Sequence, residues 1–317
     1  MYRIGVDLGG TNIAVGIVDG ENGKMLVKGS VPTLAERDGE EIIKDMVALC
    51  EKLIDDAKLT KADIKSVGIA APGSADCQNG IILYANNLRF KDFHIADIFR
   101  KYYGDVKVYV ENDANAAAMG EAAYGASKGC NDSVMITLGT GLGGGAIANG
   151  KLVVGFNYSG SELGHTVIEA DGLPCTCGRK GCWEAYSSAT GLINMTKRKL
   201  DKTAKDATKM WEMVEKDGKV SGRTAFDAMR LGDKAGKEVV DEYIKYLAVG
   251  ISNMINIFQP EVFVIGGGVC NEKDYLVKPL IDIVMKEQYY KGDKKTTIKV
   301  AELGNDAGII GAAMLGE

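Results

Sequence analysis

Val6-Asp7-Leu8-Gly9-Gly10-Thr11-Asn12-Ile13-Ala14-Val15-Gly16-Ile17 is an apolar run, a turn of small residues and a second apolar run. Residues 2–8 and 13–18 are therefore expected to pair as a β-hairpin. The arrangement returns at 133–148, where SVMITL (133–138) enters Gly139-Thr140-Gly141-Leu142-Gly143-Gly144-Gly145 and leaves as AIA. A single turn of this kind carries little information, but two on related units read as an internal duplication. After the first turn the spacing of apolar residues predicts a strand at 25–31, a helix at 39–57 and a strand at 65–71. A helix at 95–103, a strand at 106–110 and an alanine-rich helix from about 113 follow. After the second turn, the lysine-rich stretch 196–222 breaks the rhythm and reads as inserted surface helices with solvated charges. A long helix at 237–259, stopped before Pro260, a strand at 261–265, the turn Gly266-Gly267-Gly268, a helix from about 274 and a small-residue helix at 306–315 complete the series. Strands alternating with helices make an α/β fold.

The 317 residues, 46% of them hydrophobic, suffice for two domains with their own cores. Glycine is abundant at 41 residues and proline scarce at 5, which excludes a disordered or collagen-like chain and assigns the glycines to tight turns or close backbone approach. The net charge of −5 argues against a nucleic-acid or membrane-surface binder. Arg3 and Asp7 stand where the apolar part of a leader would lie, and no uncharged apolar run reaches the roughly 20 residues of a membrane span. A soluble, cytoplasmic protein is expected. The 7 cysteines include three within eight positions, so a clustered metal site is expected rather than a disulfide framework.

Phosphate is well held where several backbone N–H groups converge and no Cβ obstructs approach. The turns 9–11, 139–145 and 266–268 meet that requirement. Gly139-x-Gly141-x-x-Gly144 matches a dinucleotide fingerprint, but that motif opens a helix and a strand is expected here. Gly145-x4-Gly150-Lys151 nearly spells a P-loop, yet Leu152 replaces the hydroxyl residue that would bind magnesium. Phosphate gripped by hairpin turns is what remains. Asp7, at the end of a strand before the first turn, either holds Mg²⁺ through water or satisfies the turn's own N–H groups; both readings stay open.

His165, Cys175, Cys177 and Cys182 are three thiols and an imidazole, a closed set suited to structural Zn²⁺ with no open position for catalysis. Glu162 and Glu184 flank this set, so a metal there would fix two carboxylates able to accept hydrogen bonds from sugar hydroxyls. The plain alternative is a pair of exposed surface acids. Glu111-Asn112-Asp113-Ala114-Asn115 follows a strand and opens a helix, and Asp113 alone reads as its N-cap. Asn86-Asn87 alone reads as a turn.

Taken together, Asp7-Leu8-Gly9-Gly10-Thr11, the Leu138–Gly145 turn, Glu162-Leu-Gly-His165, the cysteine cluster and Ile265-Gly-Gly-Gly268 resemble the ROK family across essentially the whole chain, and its glucokinases most. The resemblance implies an actin/hexokinase-like (ribonuclease H-like) duplicated α/β fold, two lobes around a cleft. The expected division is a small domain at 1–115, joined by a C-terminal helix at 306–317, and a large domain at 116–305 carrying the zinc segment and the helical insertion. It implies ATP-dependent phosphorylation of an aldohexose at its 6-hydroxyl, glucose first, as a step of glycolysis. N-acetylglucosamine, N-acetylmannosamine or mannose kinases and sugar-responsive repressors are the family alternatives; repressors carry a DNA-binding segment ahead of the first turn, where Asp7 here stands near residue 1.

Carried over residue by residue, Asp113 is the base, and Gly73, Asn87, Asn112, Glu162, His165 and Glu184 contact the sugar, with His165 also a zinc ligand. Asp7, Gly9, Gly10, Thr11, Asn12, Gly139, Thr140, Gly141, Gly266, Gly267 and Gly268 face ATP and Mg²⁺. The chain departs from the family at Arg89-Phe90-Lys91, where many members have a tryptophan. No nucleic-acid or membrane partner is expected, and a homodimer or homotetramer is.

Overall fold

β-Branched residues on either side of a glycine turn favour a hairpin, and in the computed structural model, which describes residues 1–316, one forms. Strand β1 (Tyr2–Leu8) pairs antiparallel with β2 (Asn12–Asp19), with Leu8 opposite Ile13 and Tyr2 opposite Asp19. Strand β3 (Met25–Pro32) extends the meander. Helix α1 (Gly39–Asp56) starts where the Asp38 carboxylate accepts the Glu40 N–H, and it buries Ile42, Ile43, Met46, Val47, Leu49, Cys50, Leu53 and Ile54 on one face.

Strand β4 (Ile64–Ala71) then runs parallel to β1. Three short strands, β5 (Ser74–Asp76), β6 (Ile81–Ala85) and β7 (Phe90–Phe93), make a small antiparallel sheet before α2 (Ile95–Tyr103). Strand β8 (Lys107–Asn112) completes a sheet of order β3-β2-β1-β4-β8 and leads straight into α3 (Asp113–Tyr124).

The second glycine turn starts the same series again. Strands β9 (Ser133–Leu138), β10 (Leu142–Ala148) and β11 (Lys151–Leu152) are followed by α4 (Trp183–Ser187), α5 (Ala189–Leu200), α6 (Met210–Asp217), α7 (Thr224–Arg230) and α8 (Lys234–Phe258). Strand β12 (Val262–Gly266), α9 (Asp274–Glu287), β13 (Thr297–Val300) and α10 (Ala307–Ala313) complete the fold. The second sheet has the order β11-β10-β9-β12-β13. In both sheets the strand before the glycine turn lies at the centre, with its two hairpin partners on one side and two later strands on the other. The duplication suspected from two turns extends to the whole strand order.

Contacts divide the chain into two units, one of residues 1–135, 145–161 and 301–317, the other of residues 136–144 and 162–300. Residue 115 lies inside α3, which stays with the first unit because it packs on α10. That packing explains glycines that make no turn. A Cβ on Gly5 would lie 1.8 Å from the Ile309 carbonyl oxygen, one on Gly68 1.7 Å from that of Ala312, and one on Gly120 2.4 Å from that of Ala307. Gly311 meets Ala116 in the same way, at 1.6 Å. Helix α10 therefore rests backbone to backbone on β1, β4 and α3, a spacing that alanine does not permit.

The lysine-rich stretch is less superficial than expected. Helix α5 begins before it and buries Leu192, Met195, Thr196 and Leu200, and Met210 of α6 is fully buried. Charged residues dominate the composition there, but the apolar ones fall on a single face. No described helix is long and apolar enough to cross a membrane.

Candidate active site

In the first unit, the turn after β1 is tied by its own backbone, with the Gly9 N–H donating to Asn12 O at 2.9 Å. Thr33, fully buried, donates its hydroxyl to Gly9 O at 2.6 Å, and its N–H to Thr11 O at 2.8 Å. Asn87 comes against this turn: a Cβ on Gly10 would sit 3.3 Å from Asn87 Cβ. Strand β8 runs two residues further than the apolar pattern suggested, and this moves the helix cap. Asn112, not Asp113, is the N-cap of α3; its Oδ1 accepts the N–H groups of Ala114 and Asn115 at 2.9 and 3.1 Å. Its Nδ2 donates to Gly73 O at 3.0 Å. Gly73 is required where it stands, with φ +91° and no room for a Cβ, which would lie 2.0 Å from Tyr84 O.

With the capping done by its neighbour, Asp113 is the first residue of the helix, exposed as a residue, and its Oδ1 accepts the Ala114 N–H at 2.7 Å. Surrounding atoms still desolvate it enough to push its carboxyl above the usual range, against the opposing hydrogen bonds from the Ala114 N–H and Asn112. Asp7 is pushed up to about 6, first by burial and then by the charge of Asp113. The two acids thus lie close enough to feel each other, and Asp7 has room beside α10 because residue 308 is glycine: a Cβ there would be 3.0 Å from Asp7 Oδ2.

The second unit is organised around the turn at Gly139–Gly141. The Gly139 N–H donates to Gly141 O at 3.1 Å, and the start of α5 holds the turn from outside. The Ala189 N–H donates to Gly139 O at 2.9 Å and the Thr190 hydroxyl to Thr140 O at 2.7 Å. Gly267, with φ +92°, presses on the strand end that feeds this turn; a Cβ would lie 2.5 Å from Leu138 N. The turns at 139–141 and 266–268 are therefore neighbours. The 3-10 turn Leu163–His165 also packs here, since a Cβ on Gly164 would be 2.1 Å from Leu142 O. The His165 N–H donates to Glu162 O at 3.0 Å, which sets the spacing of those two residues.

Glu184 joins the glycine turn to the cysteine cluster. Its Oε2 accepts the Leu142 N–H at 2.9 Å, while Oε1 lies 3.4 Å from Thr176 Oγ1 and 3.7 Å from Cys175 Sγ. It is held there by Trp183, fully buried against Gly250 of α8, where a Cβ would lie 2.0 Å from the indole. The four ligand atoms of His165, Cys175, Cys177 and Cys182 all lie within 4.8 Å of one another. Cys177 Sγ is 3.6 Å from Cys182 Sγ, and Cys175 Sγ is 3.7 Å from His165 Nδ1. A tetrahedral centre with bonds of about 2.0–2.3 Å separates its ligands by roughly 3.5–3.8 Å, so the set fits zinc. Burial, then the two neighbouring thiols, push Cys182 up to about 12, and three thiolates so close together need a cation between them. Beside this cluster, Thr140, Gly141, Pro174, Thr176, Glu184 and Arg198 help to line a cavity of about 540 Å³.

These arrangements can be set beside known proteins. The ROK family model matches residues 3–317. The chain belongs to the ROK family. It is 37% identical to a glucokinase of Thermotoga maritima, over 98% of this chain and 96% of that protein. It is 35% identical to a glucokinase of Halalkalibacterium halodurans, over 99% and 94% of the two chains. A ROK family glucokinase from Streptomyces griseus, solved in complex with glucose and AMPPNP, superposes with a TM-score of 0.82 at 33% identity and covers 99% of both chains. The fold is actin/hexokinase-like, and its mark is the repeated strand order.

Two features of this ROK chain were invisible to pattern reading. One is the buried Glu111, just ahead of the Asn112-Asp113 pair. The other is the ion pair between Arg230 of α7 and the buried Glu272, which anchors the 3-10 turn Gly268–Glu272 directly after the third glycine turn. Both depend on partners more than 30 residues away, Cys77 for Glu111 and Arg230 for Glu272, and no local spacing announces them.

Proposed function

We propose that the chain is a hexokinase-type sugar kinase, a ROK glucokinase that transfers the γ-phosphoryl group of ATP to the 6-hydroxyl of glucose. The observation that carries the mechanism is the shifted cap. Because Asn112 caps α3, the Asp113 carboxylate is not needed as the cap; one oxygen shares the Ala114 N–H, and the carboxylate can take the proton of the sugar hydroxyl as the oxygen bonds to phosphorus. The upward push on its carboxyl, from desolvation, makes it a better proton acceptor than an ordinary aspartate.

As the family resemblance implies, Gly73, Asn87, Asn112, Glu162, His165 and Glu184 are the residues that contact the sugar. Asp7 and the turn Gly9, Gly10, Thr11 and Asn12 face the donor's phosphates, as do Gly139, Thr140 and Gly141, with Gly266, Gly267 and Gly268 beside the nucleoside. Asp7, through water, would hold Mg²⁺, which supplies charge neutralisation for those phosphates. The set of His165, Cys175, Cys177 and Cys182 would hold Zn²⁺ as a closed structural centre, with His165 directing Nδ1 at the cluster and keeping Nε2 for the sugar. Glu184 is then a fixed acceptor and the His165 Nε2–H a fixed donor, and the two discriminate between epimers by leaving buried groups unpaired when a hydroxyl is misplaced. The protein works in the cytoplasm as a homodimer or homotetramer.

A coupled assay with ATP over a panel of hexoses tests the reading. Glucose is expected to give the highest kcat/KM, and no turnover with any hexose would overturn the assignment. A higher kcat/KM for mannose, N-acetylglucosamine or N-acetylmannosamine would move the substrate within the family.

A further inference from the structure

Glu111 is 5% exposed, in the last stretch of β8, and a buried carboxylate is costly unless several donors meet it. Its donors are specific. Oε1 accepts both the Asn112 N–H at 2.8 Å and Asn115 Nδ2 at 3.0 Å, and Oε2 accepts the Cys77 thiol at 3.0 Å. Asn112 lies just before Asp113, and Asn115, itself 4% exposed, lies just after it on the first helical turn. One carboxylate oxygen therefore holds the peptide that enters Asn112, the residue before Asp113, and the side chain of Asn115, two residues after it.

We infer that Glu111 is a positioning residue for phosphoryl transfer, a buried clamp whose shared oxygen fixes the entry to α3 and with it the direction of the Asp113 carboxylate. The inference rests on the reading of Asp113 as the base. The clamp works through geometry. Asn112 can cap the helix through Oδ1 and reach Gly73 O through Nδ2 only if its backbone is held, and Glu111 holds it. Misplacing a catalytic group by about 1 Å costs about a hundredfold in rate, so loss of the clamp falls on kcat. What the site needs from residue 111 is an oxygen acceptor at that reach. Cys77 meets only the other oxygen and is dispensable to the clamp.

Three variants separate these roles. Glu111→Asp keeps the charge but, one methylene shorter, cannot serve both donors. Glu111→Gln keeps a carbonyl oxygen for Asn112 and Asn115 and turns its amide toward Cys77. Cys77→Ala removes only the third donor. The expected result is a kcat at least tenfold lower for Glu111→Asp, with KM for glucose and ATP within threefold of the parent. Glu111→Gln and Cys77→Ala should each retain at least a third of the parental kcat. Amide exchange adds a readout independent of turnover: the Asn112 N–H should exchange at least tenfold faster in Glu111→Asp than in Glu111→Gln. Equal kcat losses in the Asp and Gln variants, a loss confined to KM, or parental kcat in Glu111→Asp would each overturn the clamp. Should Glu111→Asp fail to fold, Asn115→Ala removes one of the two clamped donors, and parental kcat in that variant would overturn the clamp as well. If the parent phosphorylates no hexose, the kinase reading falls instead, and exchange at Asn112 still decides whether Glu111 holds it.

Discussion

The Glu184 carboxylate accepts the backbone N–H of Leu142 at 2.9 Å with one oxygen and faces the Cys175 sulfur at 3.7 Å with the other. A residue assigned to sugar thus takes its position jointly from the glycine turn and from the cysteine cluster. Loss of the cluster's geometry should release Glu184 and His165 before it disturbs the cores, which lie elsewhere.

Removal of zinc by a chelator is accordingly expected to weaken glucose binding at least tenfold, the scale on which supporting contacts around metals act. The far-UV circular dichroism should stay near that of the parent. Titration calorimetry on protein shown to be metal-free makes the check, and unchanged glucose affinity would separate the cluster from the sugar site.

Asp113→Asn preserves the shape of the helix start, because Asn112 does the capping. It should bind glucose within about threefold of the parent and lose turnover by about 10²–10⁴, the usual contribution of a positioned base. Near-normal turnover in this variant would take Asp113 out of the mechanism.

Asp7 provides a pH signature. Its pKa in the folded chain, about 6, is above the unfolded value of 3.8. Folding therefore favours the protonated form. The stabilisation is complete below about pH 4 and is lost as pH rises through 6, on the order of 2 kcal/mol after allowance for partial exposure. In magnesium-free buffer, Asp7→Asn should flatten this decline and raise the melting temperature at pH 7, while turnover with Mg²⁺-ATP collapses. Parallel melting curves for parent and variant between pH 4 and 6 would contradict the shift.

Gly267→Ala combines an unfavourable φ of +92° with a Cβ only 2.5 Å from the Leu138 backbone. The strain alone is about 1–3 kcal/mol, and the turn at 139–141 must move to relieve the overlap. KM for ATP should rise at least tenfold with glucose affinity near that of the parent. Steady-state kinetics with each substrate varied in turn reads this out, and an unchanged KM for ATP would dissociate residue 267 from the donor.

The parts of the site that could be read from residues alone are those whose chemistry is local. The turns at Gly9–Thr11 and Gly139–Gly141 stand between apolar runs, and the four zinc-type ligands fall within eighteen positions, so spacing revealed them. Without the resemblance Asp113 reads as the cap, and the cap falls on Asn112 instead because β8 continues through Asn112, an extension that depends on pairing with Ala70 and Ala71 of β4. The small sheet β5-β6-β7 escaped notice since its strands are short and interrupted by Gly and Asn residues. Gly5, Gly68, Gly120 and Gly311 could be counted but not explained, for each is needed only where its backbone meets a segment far away in the chain, as Gly5 meets Ile309 and Gly311 meets Ala116. Glu111 gave no signal, as its burial is created entirely by its partners.

The bare glycine surface beneath α10 also sets an order of events at the ribosome. Residues 307–313 leave the exit tunnel after all the other described strands and helices, so this helix joins the sheet of the first unit only after the second unit has been made. Until then the nascent sheet presents Gly5 and Gly68 without their covering helix.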